Sequence, residues 1–112
     1  MRDRLAADLM FIAWTTVADL QTADKLADEA VSRSLAACVQ VEGPVMSHYR
    51  WQGAQQKTEE FRLMFKVLPA KLPELSVWLH TRHPYETPEW IVVRAEHVGE
   101  KYLSWAMRSL DT

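Results

Sequence analysis

Seven consecutive residues, His83-Pro84-Tyr85-Glu86-Thr87-Pro88-Glu89, gather an imidazole, a phenol and two carboxylates around two prolines. Groups of these kinds bind a cation, move a proton or accept hydrogen bonds. Each proline disfavours helical geometry at the residue before it, so His83 and Thr87 are predicted extended or in a turn. His83 is the best single candidate for a metal ligand, with Glu86 and Glu89 either coordinating or balancing charge. An imidazole with carboxylates suits copper(II), zinc or a similar divalent cation. Two features work against a strong site. The end of a preceding helix favours a protonated imidazole, which cannot ligate. His80, three residues back, shares a helical face with His83 only if the helix runs through both. The other reading of the run is a proline-stiffened turn whose polar side chains cap a helix and hold neighbouring strands.

Cys38, the only cysteine, is a soft candidate ligand or a redox-sensitive thiol. It stands between Ala37 and Val39, where a small core residue is the competing reading. An acid–base pair of Glu86 or Glu89 with Tyr85 is the enzymatic alternative. No substrate-binding motif accompanies it: the chain has no serine elbow and no glycine-rich phosphate loop. The expectation is a protein that is not an enzyme.

The elements that must position these residues fit one domain, spanning 1–112. An apolar fraction of 48% and a charged fraction of 25% are those of a globular chain. A formal net charge of −2 offers no electrostatic footprint for nucleic acid or an anionic membrane. The apolar stretch from Leu9 to Thr16 is too short to span a bilayer. With one cysteine no internal disulfide forms, and the expected location is cytoplasmic. Five tryptophans and three phenylalanines are a heavy load for this length, to be buried in a core or at a subunit interface.

The run Leu9 to Trp14 is apolar on both faces and reads as a central strand. Asp19 caps a helix whose apolar stripe is Leu20, Ala23, Leu26, Ala27, Ala30, Val31 and Leu35. A strand starts near Cys38 and meets Gly43-Pro44, the signature of a bulge or bend. Gln52-Gly53-Ala54 marks a hairpin tip, and the return strand alternates through Phe61, Leu63, Phe65 and Val67. Met64 and Leu68 on its other side indicate that this face is covered too. Pro69 and Pro73 open a second helix ending near Arg82. A fourth strand, Glu89 to Ala95, and a closing helix after Gly99 complete the chain. The order β-α-β-β-α-β is that of an α+β ferredoxin-like sandwich with an extended hairpin and a C-terminal helix. A hairpin that projects past its own core needs support, and a neighbouring subunit is the simplest source.

Four segments in this order carry a resemblance: Leu35-Ala36-Ala37-Cys38-Val39, Ser47 to Gly53, His83 to Glu89, and Tyr102-Leu103-Ser104-Trp105. The chain resembles the CutA family of divalent-cation tolerance proteins over nearly its whole length. The resemblance implies a PII-like homotrimer with hairpins paired across subunits, weak binding of copper or other divalent ions, and no firmly tied reaction. It implies an inter-subunit cleft drawing on Tyr49, Trp51, Lys66, Tyr85 and Glu89. Together with Trp105, the aromatics among these line a small-molecule cleft or seal the trimer. Lys66 is read as an anion contact or a structural ion pair. The alternative function is a PII-like trimer that senses an unknown small molecule or binds a protein partner, without a dedicated metal role. Ala54 stands where the family commonly has lysine, and Thr15 to Asp19 replaces a Thr-Ala-Pro-like turn. The extra cysteines of some members are absent here, so a copper site relying on them is not available.

Overall fold

A computed structural model describes residues 9–110. The order is β1 (Phe11–Val17), α1 (Leu20–Ser32), β2 (Cys38–Trp51), β3 (Ala54–Val67), α2 (Leu72–Arg82), β4 (Ile91–Arg94) and α3 (Glu100–Ser109). A single 3-10 turn, Pro69–Lys71, leads into α2. The four strands form one antiparallel sheet in the order β2-β3-β1-β4. The ferredoxin-like arrangement expected from the element order is therefore the one observed.

β1 is central, as its two apolar faces require, but it runs from Phe11 to Val17 and not from Leu9. Ala13 and Val17 face Leu63, Phe65 and Val67 in the core under α1 and α2. The opposite face carries Ile12 and Leu68, packed with Met10, Ala37 and Ala106 beneath α3. That accounts for Leu68, apolar on the nominally polar side of the return strand.

Asp19 caps α1 by accepting from the Thr22 amide at 2.7 Å. The helix stops at Ser32, short of Leu35, because Ser34 turns left-handed at φ 59°. The Leu35 amide then bonds the Ala30 carbonyl at 2.9 Å and the Ser34 amide bonds Val31 at 2.9 Å. This Schellman-type ending folds Leu35 back into the core, where it is 1% exposed.

β2 and β3 pair over almost their full lengths, with the register interrupted between Glu42 and Val45. Gly43 occupies that bulge at φ 148°, a conformation that suits glycine. Gln52 and Gly53, both at positive φ, form the two-residue tip between Trp51 and Ala54. β1 ends opposite Phe61, so the outer part of the hairpin has no third strand beside it. The molecule is accordingly elongated, 54 × 26 × 23 Å. β4 is shorter than the expected Glu89–Ala95, and a single bond from the Ala95 amide to Met10 extends its contact with β1.

Candidate functional site

The loop 83–90 joins α2 to the start of β4 and lies beside the last residues of β1. His83 closes α2 by donating its amide to Leu79 and is itself extended, at φ −67° and ψ 134°, as Pro84 demands. The residue is 7% exposed. Nε2 lies 2.9 Å from the Thr16 carbonyl oxygen and 3.0 Å from the Thr15 hydroxyl. A carbonyl only accepts, so Nε2 carries the hydrogen. Nδ1 accepts from the Tyr85 amide at 3.1 Å. Burial lowers the pKa of His83 from its ordinary value, assisted by the nearby His80 and opposed by the Thr16 carbonyl and Glu60. The protonated imidazole expected at a helix end is thus not favoured, because burial is the largest influence on the ring.

Tyr85 tilts against the His83 ring at 4.9 Å between centroids. Its hydroxyl donates to Glu60 Oε2 at 2.7 Å, and Glu60 is only 8% exposed. Burial, and then this carboxylate, raise the pKa of the phenol. Tyr85 is therefore a neutral donor, not a base.

Between this loop and the hairpin lies an open hollow of about 590 Å³. Tyr49, Trp51 and Tyr85 supply its aromatic walls, and Glu60, Glu86 and Glu89 its carboxylates. Four of the five residues expected in a cleft, Tyr49, Trp51, Tyr85 and Glu89, are thus brought together. Lys66 is not among them. Its ammonium sits over the Tyr102 ring of α3, 5.4 Å from the centroid, on the sheet face away from α1 and α2. Trp105, also on α3, is likewise outside the hollow and tilts against Tyr102 at 5.4 Å.

The expected metal set of His83, Glu86 and Cys38 is not assembled within the chain. Cys38 pairs with Lys66 on the α3 face, whereas His83 reaches β1 from the α2 side. Glu86 belongs to the hollow. Both nitrogens of His83 are engaged, so neither offers a free lone pair. Among the described residues no three histidine, cysteine or acidic side chains come close enough to hold an ion. His80 does not join His83 either: its Nδ1 lies 2.8 Å from the Ser76 carbonyl and its ring faces Trp90.

Sequence reasoning missed Glu60, Thr15 and Thr16. Glu60 continues the polar alternation of Arg62 and reads as a solvated residue. Only the loop that folds over it makes it interior.

The family model described as CutA1 divalent ion tolerance protein matches residues 11–109. The chain belongs to the CutA1 family. Among the relatives, the divalent-cation tolerance protein CutA of Escherichia coli (strain K12 / DH10B) is 34% identical over 95 residues, 85% of each chain. The chloroplastic protein CutA of Arabidopsis thaliana is 32% identical over 88% of this chain, which spans 54% of that longer protein. The solved structure of CutA from Synechococcus elongatus PCC7942 superposes with a TM-score of 0.89 at 37% identity, covering 96% of this chain and 94% of that one. The ferredoxin-like CutA1 fold is thereby established for this chain. Among the described residues no helix is long and apolar enough to cross a membrane.

Proposed function

We propose that the chain acts in divalent-cation tolerance as a homotrimer that binds copper(II) or another divalent ion weakly, at sites shared between subunits. The exposed apolar edge of β4 and the hairpin tip support the assembly. Ile91 and Val93 of β4 are 53% and 43% exposed, and Trp51 at the hairpin tip is 50% exposed. Apolar side chains grouped along one edge and one projecting hairpin belong to a surface that another subunit covers. Membership of the CutA1 family supports the cation role. Among the described residues no three potential ligands converge, which fits weak binding by donors from more than one subunit. The reading is non-enzymatic, supported by a family description that names ion tolerance and no reaction. It favours the cytoplasm, where a chain with one cysteine and no internal disulfide is at home.

Copper uptake against a competing chelator, with mass by light scattering, tests this reading. The expected result is a mass three times that of the 13.0 kDa chain and saturable uptake at an integral ratio per trimer. Both should be lost in Ile91→Asp, which breaks the apolar edge. Non-stoichiometric uptake unchanged by that substitution would make copper incidental.

The hollow supports a second reading, a PII-like trimer that senses a small molecule or partner. Its volume lies within the range of roughly 300–1,000 Å³ usual for ligand pockets, with aromatic walls and a few polar groups. Saturable binding of a metabolite that alters hydrogen exchange in the hairpin would favour it. A broad screen without a ligand would count against it.

A further inference from the structure

We propose that the hollow between the hairpin and loop 83–90 binds an organic ammonium ion, with Glu60 as its anchor. The inference rests on the reading of the hollow as a small-molecule site and names the class of ligand. Glu60 is the residue that points to it. It is 8% exposed and lines the hollow. Its Oε2 accepts from the Tyr85 hydroxyl at 2.7 Å. Its Oε1 has no hydrogen-bond partner among the described residues, yet it is not sealed from solvent, so its open side is the hollow.

A carboxylate withdrawn this far from water costs free energy unless a cation or further donors meet it. Among the described residues no ion pair reaches Glu60, and no lysine or arginine lines the hollow. Strand alternation is the reason. Arg50 is out of phase with Tyr49 on β2, and Lys57 with Glu60 on β3, so both project from the other side of the hairpin. Arg62 shares the Glu60 side of β3 but is held by Glu42 at 2.7 Å. One carboxylate oxygen is therefore left facing a space into which the chain sends no strong base.

The lining chooses between kinds of cation. A metal ion needs several donors converging on one point, and among the described residues no three acidic, histidine or cysteine side chains do so. Glu86 and Glu89 join Glu60 in the lining without converging on it. Tyr49, Trp51 and Tyr85 share that lining, and aromatic faces attract an organic cation while covering its alkyl part. The Tyr85 hydroxyl gives its hydrogen to Glu60, so its oxygen, like Oε1, is left to accept. A primary ammonium supplies N–H donors to both. A short alkyl diamine uses the carboxylates, the acceptors and the aromatic walls together, and fits within about 590 Å³.

The test is calorimetric titration of the full-length protein, in its solution assembly and with a chelator present, using cadaverine as the probe. Saturable binding is expected, weakened by added salt. Pentanediol, the same chain with hydroxyls in place of the amines, should not bind. Glu60→Gln keeps an acceptor for the Tyr85 hydroxyl and removes the charge. It should weaken cadaverine binding by about tenfold or more, with the mass by light scattering unchanged. Cadaverine binding that survives Glu60→Gln, or a diol that binds as tightly as the diamine, would overturn the proposal. So would the absence of saturable cadaverine binding. If a neutral or anionic metabolite binds where cadaverine does not, the ligand class falls and the sensing role of the hollow stands; if no compound of any charge binds, both fall. Should Glu60→Gln not fold, the wild-type comparison of diamine and diol decides alone.

Discussion

Among the described residues, His83 and Glu60 are the titratable groups that the fold buries most completely, and Tyr85 bridges them. Their energetics follow from what each would lose. Tyr85→Phe leaves the Glu60 carboxylate without its phenol partner in a place that water hardly reaches. The expected cost is about 1–3 kcal/mol, read as a lower denaturation midpoint in urea. For His83 the sign follows from its lowered pKa. The unfolded chain takes up the proton first as pH falls, so the stability due to neutral burial is whole above about pH 6.5. It is lost progressively as pH drops from there through the lower folded-state pKa. Thermal midpoints between pH 7.5 and pH 5 should therefore fall more steeply in the wild type than in His83→Gln. Gly43 is constrained by space as well as by its φ of 148°: an added Cβ would sit 2.7 Å from Cδ2 of Phe61. Gly43→Ala is expected to cost about 1–3 kcal/mol through backbone strain and this contact, again measured by urea unfolding.

The helical and strand elements were largely legible in the sequence, and their ends were less so. Asp19, Gly43-Pro44, Gln52-Gly53 and Pro73 are local signals acting through the backbone of their own neighbourhood. Each marks the feature expected of it. Leu35 was read into α1 because it keeps the apolar period. A left-handed Ser34 nevertheless lets a residue outside the helix supply the same core contact. A non-glycine residue in that conformation costs roughly 1–2 kcal/mol, so Ser34→Gly is expected to stabilise the protein by about 1 kcal/mol, seen as a raised thermal midpoint. The α1 cap has a pH signature of its own. The Thr22 amide and hydroxyl hold the Asp19 carboxyl below its ordinary value. Its contribution is thus present above about pH 4 and lost as pH falls through the lower folded-state pKa. The thermal midpoint of Asp19→Ala should lie below that of the wild type at neutral pH and approach it in strong acid.

For the whole molecule the question is what covers the β4 edge and the hairpin. In an isolated chain Ile91 is half exposed, and replacing an exposed residue usually changes stability by within about 0.5 kcal/mol. In the proposed trimer the same side chain is interior, and Ile91→Asp would bury an unpaired carboxylate. Light scattering separates the two cases. A trimer converted to monomer by this single substitution supports the assembly, and a monomeric wild type excludes it. The 54 Å length of the chain makes the same point, since the outer hairpin has only its own two strands for support.

The sequence by itself determined the element order, the caps and turns, the bulge and the family. All of these depend on residues close together in the chain, or on motifs repeated in register along it. The tertiary structure alone decided which chemistry-bearing residues meet. Cys38 and Lys66 alternate onto the sheet face that α3 covers, whereas His83 packs under the other end of β1. No spacing in the sequence shows that separation, because it arises from strand pairing and from which helix covers which face. Glu60 becomes interior only because a loop 25 residues later folds over it and donates a hydroxyl. The same packing lowers the pKa of His83 through burial, which the helix end visible in the sequence does not show.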